Sequence, residues 1–376
     1  MKRFAIPEGT RDLILGECTA KKRLQGAIEQ VFDSYGYKEI VTPSIEFYQT
    51  YQTGFEQVQE EAMYKFFDHN GSILTLRMDM TVPIARVAAT KFKDQKPPLR
   101  FRYCANVYKV KESFAGKRNE VTDCGIELLG LNEKQSDLEI LVCALEVMEC
   151  MQQQAYTLEI GNVNFFHTAG KLLGLSADVT ELLADLIDRK SLSELKEYLH
   201  TLPLKDEDRE FFLQLPWLCG DAGMLKEALN CCFDDRLRSI VESLQELYAQ
   251  LKALGYENRI TFDLGKLPHL NYYSGILFEG FVPGIGTSVL SGGRYDSLLE
   301  KFGEPLPAIG FSVKLDAVLP VLDLKQKEAT LTLCYPYARK VEALRKAREL
   351  RKTARVELLA LFQGVHQILE DPAPLH

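Results

Sequence analysis

Between Glu120 and Gly130 the chain reads EVTDCGIELLG, and alternate residues differ in character. In an extended strand, residues two apart share a face. One face carries Thr122, Cys124, Ile126 and Leu128 and is suited to burial against helices. The opposite face carries Val121, Asp123, Gly125 and Glu127. Two carboxylates on one face of a central strand are costly unless a cation or a hydrogen-bond donor meets them. The glycine between them lets a ligand approach the backbone. On spacing alone two readings stand level: an ion pair with a neighbouring Lys or Arg, or contact with a bound ligand. Metal chemistry has no comparable signal. The nine cysteines lack CxxC spacing and the six histidines lie far apart, so no metal and no cofactor is expected. A phosphate-cradling loop of the GxxxxGKS type is also missing from the sequence.

The elements that must hold this strand are legible around it. Leu24, Ala27, Ile28, Val31, Phe32 and Tyr35 form one stripe of a 3.6-residue period, which predicts a helix over 18–35 ending at Gly36. A short extended stretch, Tyr37 to Val41, follows before Pro43. Residues 73–77 read as a strand, and Thr81 to Phe92 as a helix with Thr81 as its cap and Pro83 in its first turn. Segments 100–108 and 120–130 flank the polar KVKESFAGKRN loop and read as a long antiparallel hairpin. The next helix is expected to open on a Ser136–Glu139 capping box and to bury Leu138, Leu141, Val142, Leu145 and Met148.

From about 165 to 257 the pattern turns helical, with few strand signals, and is read as an inserted helical subdomain. Strand patterns return at 260–264, 272–281 and 287–291, and a last helix is expected from near Gly310. Strands resuming after a helical block imply one interrupted, mainly antiparallel sheet, hence an α+β core over 1–323. The remainder, 324–376, is expected to form a reduced α/β module around a basic helix at 339–352. Its cationic side chains, continuing to Arg355, read as a solvated face rather than a nucleic-acid surface, because aromatic interleaving is missing.

Composition narrows the function classes. The 376 residues are 46% hydrophobic and 26% charged, an ordinary globular balance. No run approaches the ~18–20 apolar residues of a membrane span, and the MKRFAIPEGTRDL start lacks a signal-peptide core; a cytoplasmic location is expected. A net charge of −8 leans against a polyanion as the principal partner.

Several segments occur together in a characteristic order: PEGTRD at 7–12, the hairpin ending in DCGIELLG, NYYSGILFEG at 271–280, LSGGRYDSLL at 290–299 and PAIGFSVKLDAVL at 307–319. Over about residues 1–320 this resembles a class II aminoacyl-tRNA synthetase core, and specifically the histidyl enzyme. The resemblance places Asp79 and Thr81 at the amino-group side of an amino-acid pocket and Glu127 and Tyr273 at imidazole contacts. Asp123 stands where the synthetase has Gln. Tyr272 lies beside them, with core packing as its competing role, and Gly292–Gly293 is expected to make a tight turn at the pocket floor.

The same resemblance locates arginines that grip ATP phosphates, and this sequence lacks them. Lys109 occupies the hairpin position and Lys111 that of the accompanying Glu. Pro268 stands at the arginine before the tyrosine pair, and Lys314, Leu315, Asp316 and Ala317 replace Gly-Leu-Glu-Arg. Arginine holds phosphate oxygens with a planar fork that lysine cannot copy. Losing one transition-state donor costs ~10²–10³ in rate. A chain with the pocket but without the phosphate chemistry is similar to the regulatory subunits of ATP phosphoribosyltransferase. That family implies a non-catalytic role in the first step of histidine biosynthesis, with a short catalytic chain as partner and L-histidine as a feedback effector bound by Asp79, Thr81, Lys109, Asp123, Glu127, Tyr272 and Tyr273. It also implies a dimer through 18–43. The alternatives are a divergent active histidyl-tRNA synthetase, a non-enzymatic tRNA-binding relative, or an amino-acid ligase on the same fold.

Overall fold

The computed structural model describes residues 5–55, 60–110, 118–131, 134–151, 155–268, 273–322 and 330–361. Helix α1 (Leu15–Ser34) leads to strands β1 (Lys38–Glu39) and β2 (Ile45–Phe47), helix α2 (Tyr48–Gly54), and strands β3 (Lys65–Phe67) and β4 (Ile73–Leu76). Helix α3 (Thr81–Lys91) precedes the hairpin strands β5 (Leu99–Tyr108) and β6 (Glu120–Leu129); α4 (Lys134–Cys150) and β7 (Thr157–Asn162) follow. The helical stretch contains α5 (Val163–Leu172), α6 (Ala177–Asp188), α7 (Leu192–Thr201), α8 (Asp206–Gln214), the short strand β8 (Cys219–Gly220), α9 (Met224–Asn230) and α10 (Asp235–Ala253). Strands β9 (Ile260–Asp263), β10 (Ile276–Phe281), β11 (Leu290–Arg294) and β12 (Ala308–Lys314) and the short helix α11 (Leu315–Val318) come next.

A nine-stranded sheet in the order β1-β5-β6-β12-β11-β10-β7-β9-β8 carries the fold, and β2-β4-β3 form a separate small sheet. The expected mainly antiparallel sheet is in fact mixed: β1 pairs with β5, and β7 with β9, in parallel. The parallel β7–β9 pairing arises because the helical stretch serves as the crossover, and β8 from inside that stretch supplies an edge.

The two faces of β6 separate as alternation requires. Cys124, Ile126 and Leu128 are buried in one apolar cluster with Leu24, Ile28 and Phe32 of α1 and Leu141, Leu145 and Met148 of α4. Phe101 and Tyr103, whose register partners are Glu127 and Gly125, belong to a second cluster with Met80, Val82 and Ile84. Tyr35 and Val31 complete the α1 stripe as partly buried residues.

Several local expectations are corrected. Ser136 lies within α4; its hydroxyl donates to the Leu131 carbonyl (3.3 Å) and accepts from Arg294 (2.7 Å), while Glu139 takes Arg100 at 2.8 Å. The Ser136–Glu139 capping box is therefore displaced by tertiary partners. Thr81 opens α3 without capping it; Asp79 Oδ1 accepts the Val82 N–H at 3.0 Å instead. The helix expected from Gly310 is strand β12, with a helix only at Leu315–Val318. A short apolar run such as AIGFSV fits a buried strand or a helix equally until its neighbours are known. Gly292–Gly293 lie inside strand β11, not in a turn.

By internal contacts the chain divides into Met1–Leu322 and Asp323–His376. Within the second unit, strands β13 (Thr330–Pro336) and β14 (Arg355–Leu361) pair in parallel around helix α12 (Lys340–Leu350). Among the described residues, no helix is long and apolar enough to cross a membrane.

Candidate functional site

Strand β12 lies antiparallel to β6 with Gly310 opposite Glu127 and Lys314 opposite Asp123. A β-carbon at Gly310 would stand 1.9 Å from Glu127 Oε2, so only glycine leaves the carboxyl room to lie across the sheet. At Gly293 a β-carbon would come within 2.7 Å of the Tyr273 ring, which covers the adjacent strand. These close approaches form the floor of a cavity of about 270 Å³. Asp79, Thr81, Lys109, Asp123, Glu127 and Tyr273 all line it; Tyr272 lies outside the described residues.

Donors meet Glu127 before any ligand does. The Thr81 hydroxyl donates to its Oε1 at 2.9 Å, and the Tyr295 hydroxyl makes a short bond to Oε2. Burial outweighs them and raises its pKa to about 8, with Asp79 adding to the rise. Burial likewise pushes Asp79 up, opposed by Lys109 and the Val82 and Thr81 N–H groups. Glu127 thus stays largely protonated near neutrality and can donate as well as accept.

The other part of the lining is cationic. Lys109, Lys266 and Lys314 face it, with Pro268 beside them, and no arginine is among the described lining residues. Burial pushes the Lys314 ammonium down, while Asp123 and Glu279 favour its charged form. Its Nζ donates to Ser288 Oγ at 3.2 Å, and Lys266 Nζ lies 3.6 Å from Glu279. Asp123 therefore faces a lysine across the ladder and also opens to the cavity: the ion-pair and ligand readings are compatible there. The arrangement suits a small zwitterion: carboxylates to hold an ammonium, lysines to hold a carboxylate, and Glu127 and Tyr273 to meet a polar ring.

Sequence reading missed Tyr295, Tyr103 and Lys266. Tyr295 lay inside the quoted GGRYD run, but its bond to Glu127 depends on strand register, which no local pattern states. Asp316, at the position of the family's Glu, turns away from the pocket: it accepts Thr122 N at 2.7 Å and pairs with Lys21 at 3.1 Å and Arg118 at 3.5 Å. Lys111 lies outside the described residues. Elsewhere, Glu29, Cys104 and Cys124 bring possible ligand atoms within 4.8 Å of one another. Hydrogen bonding to Cys104 and burial push the Cys124 thiol strongly up, which disfavours the thiolate that a metal ligand requires.

Residues 9–318 match the family described as Histidyl-tRNA synthetase. A protein of Acetivibrio thermocellus named ATP phosphoribosyltransferase regulatory subunit is 38% identical over 87% of this chain and 78% of its own length. One of the same name from Ruminiclostridium cellulolyticum is 34% identical over 98% of this chain and 90% of its own. Among solved structures, a Bacillus halodurans ATP phosphoribosyltransferase regulatory subunit/histidyl-tRNA synthetase superposes with TM-score 0.87 at 29% identity, covering 97% of this chain and 95% of that one. Histidyl-tRNA synthetase from a Nostoc species shares the fold at TM-score 0.79 and 21% identity, covering 98% and 88%.

Proposed function

The chain belongs to the ATP phosphoribosyltransferase regulatory subunit family, built on the histidyl-tRNA synthetase fold, and on that premise we propose that it is the non-catalytic partner of a short catalytic chain in the first step of histidine biosynthesis. It binds L-histidine in the cavity above β6 and passes that occupancy to the partner as feedback inhibition. Asp79 and Thr81 meet the ammonium side, Glu127 and Tyr273 the imidazole, and Lys109 the carboxylate. Asp123 adds a contact at the position where the synthetase carries an amide, and Tyr272 is included on the family's pattern. Self-association through 18–43 belongs to the same proposal, as does action in the cytoplasm.

The observation that supports this reading is the cavity's charge pattern: Lys109 and Pro268, which the family resemblance sets at arginine positions, line it, and no arginine is among its described lining residues. Adenylate formation concentrates charge on a phosphate and needs fixed donors where it develops. Holding an amino acid needs only the carboxylates and one or two cations. Feedback in turn requires histidine to bind the active and inhibited assemblies with different affinity.

The purified chain mixed with a short ATP phosphoribosyltransferase catalytic subunit is expected to restore phosphoribosyl transfer, and added histidine to suppress it. Histidine-dependent ATP–pyrophosphate exchange should stay at background. Exchange well above background would overturn the proposal in favour of an active synthetase.

A further inference from the structure

Residues 264–268 follow β9 and carry Lys266 and Pro268 into the lining of the central cavity. Their fastenings lie in the helical stretch. The Leu264 N–H donates to the Leu218 carbonyl at 2.9 Å, and the Leu267 N–H to Oδ1 of Asp188, the last residue of α6, at 2.8 Å. A β-carbon at Gly265 would stand 2.6 Å from the Leu215 carbonyl oxygen, so glycine lets the two stretches lie this close. Two residues beyond Asp188, Lys190 adopts a left-handed backbone with φ 53°, which is unfavourable for a lysine. Its Nζ lies 3.3 Å from Oδ2 of Asp263, whose Oδ1 accepts the Gly265 N–H at 2.8 Å. The end of α6 thus grips the segment on both sides of Lys266, and the strained lysine is part of the grip.

Between those two points Lys266 extends its ammonium towards the cavity. Its Nζ lies 3.6 Å from Glu279 Oε2 and 4.0 Å from Asp188 Oδ1. At these separations both carboxylates steer the ammonium without hydrogen-bonding to it, and its donors are left for a ligand. A lysine on a freely moving loop would lose rotamer and backbone freedom on meeting a carboxylate; a lysine on a clamped segment has lost much of it already.

We propose that Lys266 is a specificity-determining residue that takes the ligand's carboxylate together with Lys109, and that Asp188 is its positioning residue, acting through the Leu267 N–H. Resting on the histidine reading of the cavity, this assignment gives the helical stretch a direct hold on the ligand, because moving α6 moves Lys266.

Calorimetric titration of the full chain with L-histidine, and with histamine as the probe that keeps the ammonium and imidazole but lacks the carboxylate, tests it. Lys266→Met should bind histidine about tenfold more weakly and leave histamine binding unchanged. Asp188→Ala should show the same selective loss at about threefold, whereas Asp188→Asn, whose carbonyl can still accept the Leu267 N–H, should stay close to the natural chain. In the Lys266→Met background, Asp188→Ala should cost no further affinity, as expected of a residue that acts through another. A purely structural role would weaken both ligands alike, and that result would overturn the proposal, as would a histidine affinity unchanged by Lys266→Met. Additive losses in the double variant would overturn it as well, including where histamine binds too weakly to compare. If the natural chain binds no histidine, the histidine reading of the cavity fails and this assignment falls with it; if it binds histidine and the variants do not discriminate, only this assignment falls.

Discussion

Glu127 ties the stability of the fold around the pocket to pH. Its folded pKa is about 8, far above the unfolded carboxylate value near 4.3. Between those values the folded state holds a proton that the unfolded state has lost. Stability from this group is therefore complete below the unfolded value and declines as pH rises towards 8, with a limiting slope of about 1.4 kcal/mol per pH unit. Glu127→Gln cannot titrate, so its unfolding free energy in urea should lack that decline between pH 5 and 8. Parallel slopes for the two proteins would show that the carboxyl ionises normally. Alternation in a strand puts Glu127 and Asp123 on one face whatever the fold, but it left an ion pair and a ligand contact level, and only the family resemblance favoured the ligand. Thr81 was legible only by resemblance, and its local reading as a cap was wrong, since its hydroxyl turns to Glu127 at 2.9 Å. Tyr295 was hidden because it sits on a different stretch of chain and meets Glu127 only through the β6–β12–β11 register.

At the scale of elements, the pocket depends on how α1 and β12 are fastened to β6. Asp316, in the short helix α11 directly after β12, accepts Thr122 N at 2.7 Å and pairs with Lys21 of α1, only 8% and 17% of the two side chains being exposed. Removing one member of such a pair strands the other, so Asp316→Ala should destabilise the fold by about 2–3 kcal/mol, read as a lower urea midpoint at unchanged m-value. Lys21→Met combined with Asp316→Leu should recover part of that loss; no recovery would mean that the Thr122 contact dominates. Gly310→Ala acts at the facing position. Its β-carbon would meet Glu127 Oε2 at 1.9 Å and the Ile126 carbonyl at 2.3 Å, and the second of these cannot swing away. A loss of about 1–3 kcal/mol is expected, together with at least tenfold weaker histidine binding; unaltered affinity would place the ligand elsewhere. The α1 stripe, the β5–β6 hairpin and α3 could be read from periodicity because each repeats its pattern over many residues. Strand β12 could not: its AIGFSVK run is buried on nearly all sides, and continuous burial erases the alternation that separates strand from helix. The parallel pairings at β1 and β9 were unreadable for a related reason, since they join segments with no shared local signal.

Across the whole molecule, burial divides as the contacts do. Both large apolar clusters are built from residues up to Leu322 and enclose the floor of the pocket. In the second unit most positions of β13 and β14 are exposed or half-buried, with Val356, Ala343 and Ala347 as its buried apolar residues. Burial of apolar area at ~25 cal/mol/Å² is the main stabilising term, so the cooperative unfolding free energy around the central cavity resides in the first unit. The described residues that line that cavity run from Asp79 to Lys314. A chain ending at Leu322 should therefore unfold in one cooperative transition and bind histidine within about threefold of the full chain, because it keeps every described lining residue. Calorimetric titration with histidine and a urea melt measure both quantities. A truncated chain that unfolds without cooperativity would show that the tail supplies stability its own sparse core does not reveal. One that folds normally but loses histidine would instead give the tail a part in shaping the ligand-binding state, which is the behaviour an allosteric coupling element must have.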